Sequence, residues 1–167
     1  KEVTVKYTEA GVTCEAKYSI NVTDPNAVVS EWNATPFADL KAGDQVVIVS
    51  TKSSAIYAMS NNNGTGSAPS AIEIEYANDK LTAEPDAKIV WYVGVDGNNR
   101  IFYLDSSKSK WLYCTNTNNG VRVGINTNNI FTLDASTGYL KNTATSRYIG
   151  IYNSQDWRCY TSTSSNI

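Results

Sequence analysis

The sequence predicts an all-β chain, and three observations carry that reading. Thr, Ser, Asn, Val and Tyr recur throughout its 167 residues, and 11 tyrosines stand beside four tryptophans and three phenylalanines. Such residues suit pleated surfaces and turns. Long aliphatic stripes at helical spacing are absent. One short pattern also occurs three times. Ser54-Ala55-Ile56-Tyr57-Ala58-Met59-Ser60 runs into Asn61, Ser109-Lys110-Trp111-Leu112-Tyr113-Cys114-Thr115 into Asn116, and Ser146-Arg147-Tyr148-Ile149-Gly150-Ile151-Tyr152 into Asn153. Each copy reads as a strand entering an Asn-rich turn.

The chain opens with alternation. Val3, Val5 and Tyr7 alternate with polar residues, Glu9-Ala10-Gly11 turns the chain, and Cys14, Ala16, Tyr18, Ile20 and Val22 alternate again. This predicts a hairpin over residues 1–23, which is not stable in isolation. Thr23-Asp24-Pro25-Asn26 breaks the pattern and marks a linker over 24–36. Within it a short helix is expected around Asn26 to Trp32, with Asp24 as N-cap and Pro25 at the first helical position.

From about Phe37 the remainder divides into three units. The first has strands near 45–50, 55–60, 70–76 and 88–95, with an insertion between Ala77 and Asp86. The second has strands near 100–104, 111–115, 120–125 and 130–134. The third has strands near 138–141, 147–152 and 156–161. Four short strands in each of three units is the arithmetic of a β-trefoil-like barrel over 37–167, six barrel strands capped by three hairpins. A sandwich or another small barrel is the alternative. The third unit stops at Ile167 where its fourth strand is due, so that strand is expected beyond this chain.

Aligning the copies sets the register. Tyr57, Leu112 and Ile149 share one position, and Met59, Cys114 and Ile151 lie two residues on. This parity is apolar in every copy and should face the core. Trp111 and Tyr113 then face outward. On the returning strand Val121 and Val123 align with Arg158 and Tyr160. A slip of one residue across the turn would instead send Trp157 and Cys159 inward and leave Arg158 and Tyr160 outside with Arg122.

Composition narrows the chemistry. The net charge is −2 and the pI about 5.1, without the basic face of a nucleic-acid binder. No apolar run approaches the ~18 residues of a membrane span. Histidine is absent, which removes Ser-His-Asp and Cys-His catalysis and the commonest zinc ligand. Cys14, Cys114 and Cys159 are far apart and form no CxxC motif, so no zinc site or redox motif is expected. Under the slipped register Cys114 and Cys159 point inward from neighbouring hairpins, either as a disulfide or as two buried thiols, with Cys14 unpaired. Asp105, Asp134 and Asp156 are scattered, so no paired-carboxylate hydrolase site is visible. Asp96-Gly97-Asn98-Asn99 lacks the acidic set of a calcium loop and reads as a hairpin turn. Asn21, Asn33 and Asn63 sit in N-x-[ST] triplets, as chance allows in so Asn- and Thr-rich a chain. No catalytic residue, cofactor or metal is therefore expected.

What remains is a binding surface. Trp111, Tyr113, Asn116 and Arg122 on the second hairpin, and Tyr152, Asn153, Arg158 and Tyr160 on the third, combine ring faces with hydrogen-bonding groups. A planar ring stacks on the apolar face of a sugar while Asn and Arg bond its hydroxyls. Against this, the rings can simply pack a small β core, and Asn61, Asn116 and Asn153 can simply serve their turns. The first unit places Ala58, Gly64 and Ser67 at the matching positions and should bind poorly or not at all.

Two resemblances place these motifs. VTVKYTEAGVTCEAKYSINVT resembles the last two strands of bacterial Ig-like repeats, whose earlier strands this chain lacks. YAMSNNNGTGSAP, WLYCTNTNNGVRVG and RYIGIYNSQDWRCYTS, within Trp32 to Ile167, resemble a domain recurring in secreted and surface proteins of gut Bacteroidetes. Members of that family continue into one more aromatic strand. The resemblance implies an extracellular or cell-surface address and no particular reaction. The expected function is a non-catalytic binding or adhesion module for a glycan or a host or bacterial surface protein. The alternatives are a protein-interaction or spacer module without a small ligand, and an accessory domain of a larger secreted hydrolase.

Overall fold

The computed structural model describes residues 2–10, 12–19, 31–163 and 167. Contacts divide the chain into two units, Lys1–Ser30 and Glu31–Ile167. In the first, β1 (Glu2–Glu9) and β2 (Val12–Ser19) pair antiparallel in unbroken register from Glu2 opposite Ser19 to Glu9 opposite Val12. Ala10, with φ 47°, turns the chain between them. The expected linker helix falls largely on residues 20–30, outside the described residues, as do Asn21 and the side chain of Cys14.

The second unit is all strand, turn and short 3-10 segments. A 3-10 turn at Phe37–Asp39 precedes β3 (Gln45–Val47), β4 (Val49–Lys52), β5 (Ala55–Asn63) and β6 (Pro69–Glu73). The expected insertion is a small hairpin, β7 (Tyr76–Ala77) with β8 (Lys80–Leu81), followed by a 3-10 turn at Ala87–Ile89. β9 (Val90–Asp96), β10 (Asn99–Tyr103), β11 (Trp111–Cys114), β12 (Val121–Gly124) and β13 (Phe131–Leu133) come next. β14 (Leu140–Asn142), β15 (Tyr148–Tyr152) and β16 (Asp156–Tyr160) end the series.

Apart from the separate β7–β8 hairpin, these strands form one branched antiparallel sheet. Its main path runs β12-β11-β10-β13-β14-β15-β16-β6-β5-β4, and β9 joins β10 to β3. The sheet does not close. The closed barrel expected from the sequence is therefore not what pairs. Pairing changes partner at Ile48: β3 before it pairs with β9, and β4 after it pairs with β5.

The inward parity is as the repeats foretell. Tyr57, Leu112 and Ile149 are buried, and so are Met59, Cys114 and Ile151, around Trp91, Val93, Phe102 and Phe131. Each such large side chain contributes about 1.5–3 kcal/mol by leaving water. The one-residue slip on the third hairpin is present. Cys114 lies opposite Val121, whereas Ile151 lies opposite Trp157 across a turn one residue shorter. Period-two alternation then sends Trp157 and Cys159 inward and Arg158 and Tyr160 outward. Buried donors are satisfied by backbone: the Trp91 indole donates to the Met59 carbonyl at 3.1 Å within the first unit, and Trp157, from the third, to that of Ala58 at 3.4 Å.

Candidate functional site

Cross-strand partners share a face, and the inward positions of Val93, Phe102, Leu112 and Val123 fix which face is outside. Tyr92, Tyr103, Trp111 and Gly124 therefore form one outward row across β9, β10, β11 and β12. Tyr113 and Arg122 form the next pair on the same face. The row is ordered by its own contacts. Tyr103 and Trp111 meet edge to face, with centroids 6.3 Å apart at 87°, a preferred aromatic geometry. The Trp111 indole donates to the Asn126 carbonyl at 2.7 Å. Lys108 places its ammonium 5.5 Å from the Tyr103 centroid.

Two glycines make room for these rings. A Cβ at Gly94 would come within 2.6 Å of Tyr103 Cε2, and one at Gly124 within 3.4 Å of Tyr113 Cε1. Both tyrosines therefore lean diagonally toward the neighbouring strand's glycine, Gly94 lying opposite Ile101 and Gly124 opposite Trp111. Arg122 donates to the Val121 carbonyl at 2.7 Å and remains half exposed. Asn116 is exposed, but its engaged atom is the backbone carbonyl, which accepts from Arg147 at 2.9 Å.

The third hairpin differs. The Arg158 guanidinium lies 3.8 Å from the Tyr152 centroid and is ion-paired to Asp156 at 2.8 Å. Its polar fork and one Tyr152 face are thus engaged within the hairpin. Tyr160 stands opposite Tyr148, whose hydroxyl donates to Asp134 at 3.2 Å and whose ring carries the Lys141 ammonium at 4.8 Å. Asn153 sits in the turn with φ 49°, the left-handed role that Asn tolerates. The eight residues singled out from sequence thus fall into two separate sets. Tyr92, Tyr103 and Lys108 belong beside the first set and were missed. The inward position of Phe102 is the signal that could have found Tyr103, its outward neighbour.

Other polar groups are structural. Asn61 is buried and donates to the carbonyls of Ala87 at 2.7 Å and Val90 at 2.9 Å. Asp105 accepts from the Ser107 amide and Asp156 pairs with Arg158. Asp134 accepts from the Ser136 hydroxyl at 2.6 Å and from the Ser136 and Thr137 amides. Those bonds, the hydroxyl foremost, hold its carboxyl at about 2. Asp96 to Asn99 is the β9–β10 turn, with Gly97 at φ 57°. Among the described residues no group of His, Cys, Asp or Glu could hold a metal ion, and no helix is long and apolar enough to cross a membrane.

Cys114 and Cys159 are both buried free thiols. The neighbouring Cys159 thiol, together with burial, pushes the Cys114 thiol well above its usual range. Cys159 donates to the Thr117 carbonyl at 3.3 Å. No family model matches the chain, and no curated protein or solved structure matches it significantly.

Proposed function

We propose that this chain is a non-catalytic binding module whose ligand is a neutral glycan, docked on the outer face of β10, β11 and β12. The observation that carries this reading is the corner made by Tyr103 and Trp111, with Tyr113 and Arg122 beside it. Two ring planes at right angles offer apolar faces to a sugar, and Arg122 and Lys108 supply donors for its hydroxyls. Amphipathic rings with convergent polar groups are the usual composition of such a surface. The mild acidity of the chain suits a neutral ligand better than a polyanion.

In this reading the three hairpins β5–β6, β11–β12 and β15–β16 are pseudo-equivalent, as in a trefoil, and only the second binds. Support comes from the matched buried positions of the three copies. The first copy has no ring at the matching site, and the third spends its groups on itself. The module sits outside the cell or on its surface, as the resemblance of the repeats to Bacteroidetes surface domains suggests. The test is a titration of the chain against a broad glycan set, repeated with Trp111→Ala. Retained fold with affinity unchanged by the substitution refutes the site. If no sugar binds at millimolar concentration, a protein-interaction or spacer role takes its place.

A further inference from the structure

The outward row does not end at Tyr103. Tyr92 lies opposite Tyr103, and Gln45 on β3 lies opposite Tyr92. Val90, two residues before Tyr92 on β9, turns to the same face. At this end of the row lies a cavity of about 320 Å³. Gln45, Val90 and Tyr92 line it from the sheet, and Asp105 lines it from just beyond β10. Trp32 and Glu84 line it from the segments before β3 and after β8.

Those two segments are tied together. The Leu81 amide donates to the Trp32 carbonyl at 3.0 Å, and the Ala34 amide to the Asp79 carbonyl at 2.6 Å. Asn33 and Lys80 form an isolated bridge between them. The Trp32 indole donates to Glu84 Oε2 at 3.2 Å, which fixes one ring of the cavity against one of its carboxylates. The insertion in the first unit therefore supplies, with the segment before β3, a wall beside Tyr92.

We infer that this cavity is a second sugar subsite and that the ligand is a neutral oligosaccharide lying across the strands. The inference rests on the glycan reading of the Tyr103–Trp111 corner and extends it. From Trp111 to Tyr92 the row crosses two strand spacings, ~10 Å, the reach of a short oligosaccharide and not of one sugar. The cavity volume is at the lower end of the roughly 300–1,000 Å³ of small-ligand pockets, enough for a single sugar unit. Trp32 and Tyr92 supply ring surface. Asp105 meets Ser107 through Oδ1, and Glu84 meets Trp32 through Oε2. Each carboxylate thus keeps an oxygen to accept a sugar hydroxyl, and the Gln45 amide both donates and accepts. No lysine or arginine is among the described residues lining the cavity, so a uronate or sulfated unit would meet like charge there.

The experiment titrates the full chain calorimetrically with gluco-, xylo- and manno-oligosaccharides, from mono- to hexasaccharide. In a series that binds, affinity should rise roughly tenfold or more with length and then level off. Trp32→Ala should remove most of that gain while leaving monosaccharide affinity unchanged. Gln45→Ala, at an exposed position, should act in the same direction with the fold intact by circular dichroism, and it carries the test if Trp32→Ala unfolds. Chains of equal length bearing a uronate at each end should bind no better than the monosaccharide. Affinity independent of length, or a gain that Gln45→Ala and a folded Trp32→Ala both leave untouched, overturns the subsite while the Tyr103–Trp111 surface stands. Equal binding of the uronate chains overturns the assigned chemistry. If neither these sugars nor any of the broad glycan set binds, the glycan reading falls and the subsite falls with it.

Discussion

Asn63 and Val123 hold each other through both polar atoms of one amide. Asn63 Oδ1 accepts from the Val123 amide at 2.8 Å, and its Nδ2 donates to the Val123 carbonyl at 2.9 Å. The side chain thus acts as one rung of ladder between the first hairpin and the second, sixty residues apart. Asn63→Ala leaves both Val123 groups without that partner and should cost about 1–3 kcal/mol. Asn63→Asp keeps the acceptor but sets an oxygen against the Val123 carbonyl, and should be no better. Thermal melts of the two variants check this. The same contact bears on the N-x-[ST] triplet at Asn63, because a glycan on Nδ2 would displace the bond to Val123.

The second hairpin turn joins the third hairpin through Arg147, which donates to the Asn118 side chain and the Asn116 carbonyl, both at 2.9 Å. Gly120 closes that turn, and a Cβ there would lie 2.5 Å from the Thr117 carbonyl oxygen and 2.8 Å from that of Thr115. Backbone cannot give way as a side-chain tip can. Gly120→Ala should therefore destabilise the fold by roughly 1–3 kcal/mol. Gly66→Ala, whose nearest contact is 3.8 Å, should be close to neutral. Chemical denaturation of the pair tests the contrast.

Much of this architecture was legible because β structure repeats at period two. Once Leu112 and Cys114 were placed inward, Trp111 and Tyr113 had to be outward, and the copies carried that register across the chain. The slip at Trp157 was legible only as an alternative, since turn length is set by local backbone and not by the strand pattern. The open sheet was less visible. Val46 to Val49 reads as one strand, and nothing in those residues says that pairing changes partner at Ile48. How the two aromatic sets differ could not be read either. Arg158 and Arg122 have matching places in sequence, but Asp156 and Tyr152 engage Arg158, while among the described residues no acid pairs with Arg122.

Acid should act through Asp134, at the junction of the second and third units. Its carboxyl titrates at about 2 in the folded chain against an ordinary 3.8. A depressed folded value contributes stability that is present above the unfolded value and lost as pH falls through the folded one. Melting temperature should therefore fall between about pH 4 and pH 2, in proportion to protonation of this group. Asp134→Asn should start lower at neutral pH and lose less across that window. Parallel melts of both proteins from pH 7 to pH 2 decide, and identical slopes would remove Asp134 from the account.

The two buried cysteines should be chemically quiet in the folded chain. Reactivity needs thiolate and access; burial limits access, and the raised Cys114 value also limits thiolate there. A maleimide reagent at neutral pH should leave both unlabelled until the protein unfolds, after which both should react. Non-reducing peptide mapping of unfolded, unreduced protein should return Cys114 and Cys159 as free thiols. A linked Cys114–Cys159 peptide would show instead that the chain matures as a disulfide.

The decisive functional prediction is an asymmetry between hairpins that look alike in sequence. On the second, Trp111 faces outward at a right angle to Tyr103, and Arg122 has no carboxylate partner among the described residues. On the third, Arg158 is clamped between Tyr152 and Asp156. A ligand there would have to break an ion pair and a stacked contact before gaining any bond of its own. Trp111→Ala should weaken glycan binding by roughly tenfold or more, the loss typical of a central aromatic anchor. Tyr103→Ala should also weaken it, because it removes the other wall of the corner. Tyr152→Ala and Arg158→Ala should leave affinity within about twofold, since neither is free to meet a ligand. Isothermal titration of the four variants against whichever glycan binds the parent chain makes the comparison. Equal losses on both hairpins would mean that the third opens on binding, and a loss confined to Tyr152 and Arg158 would move the site there.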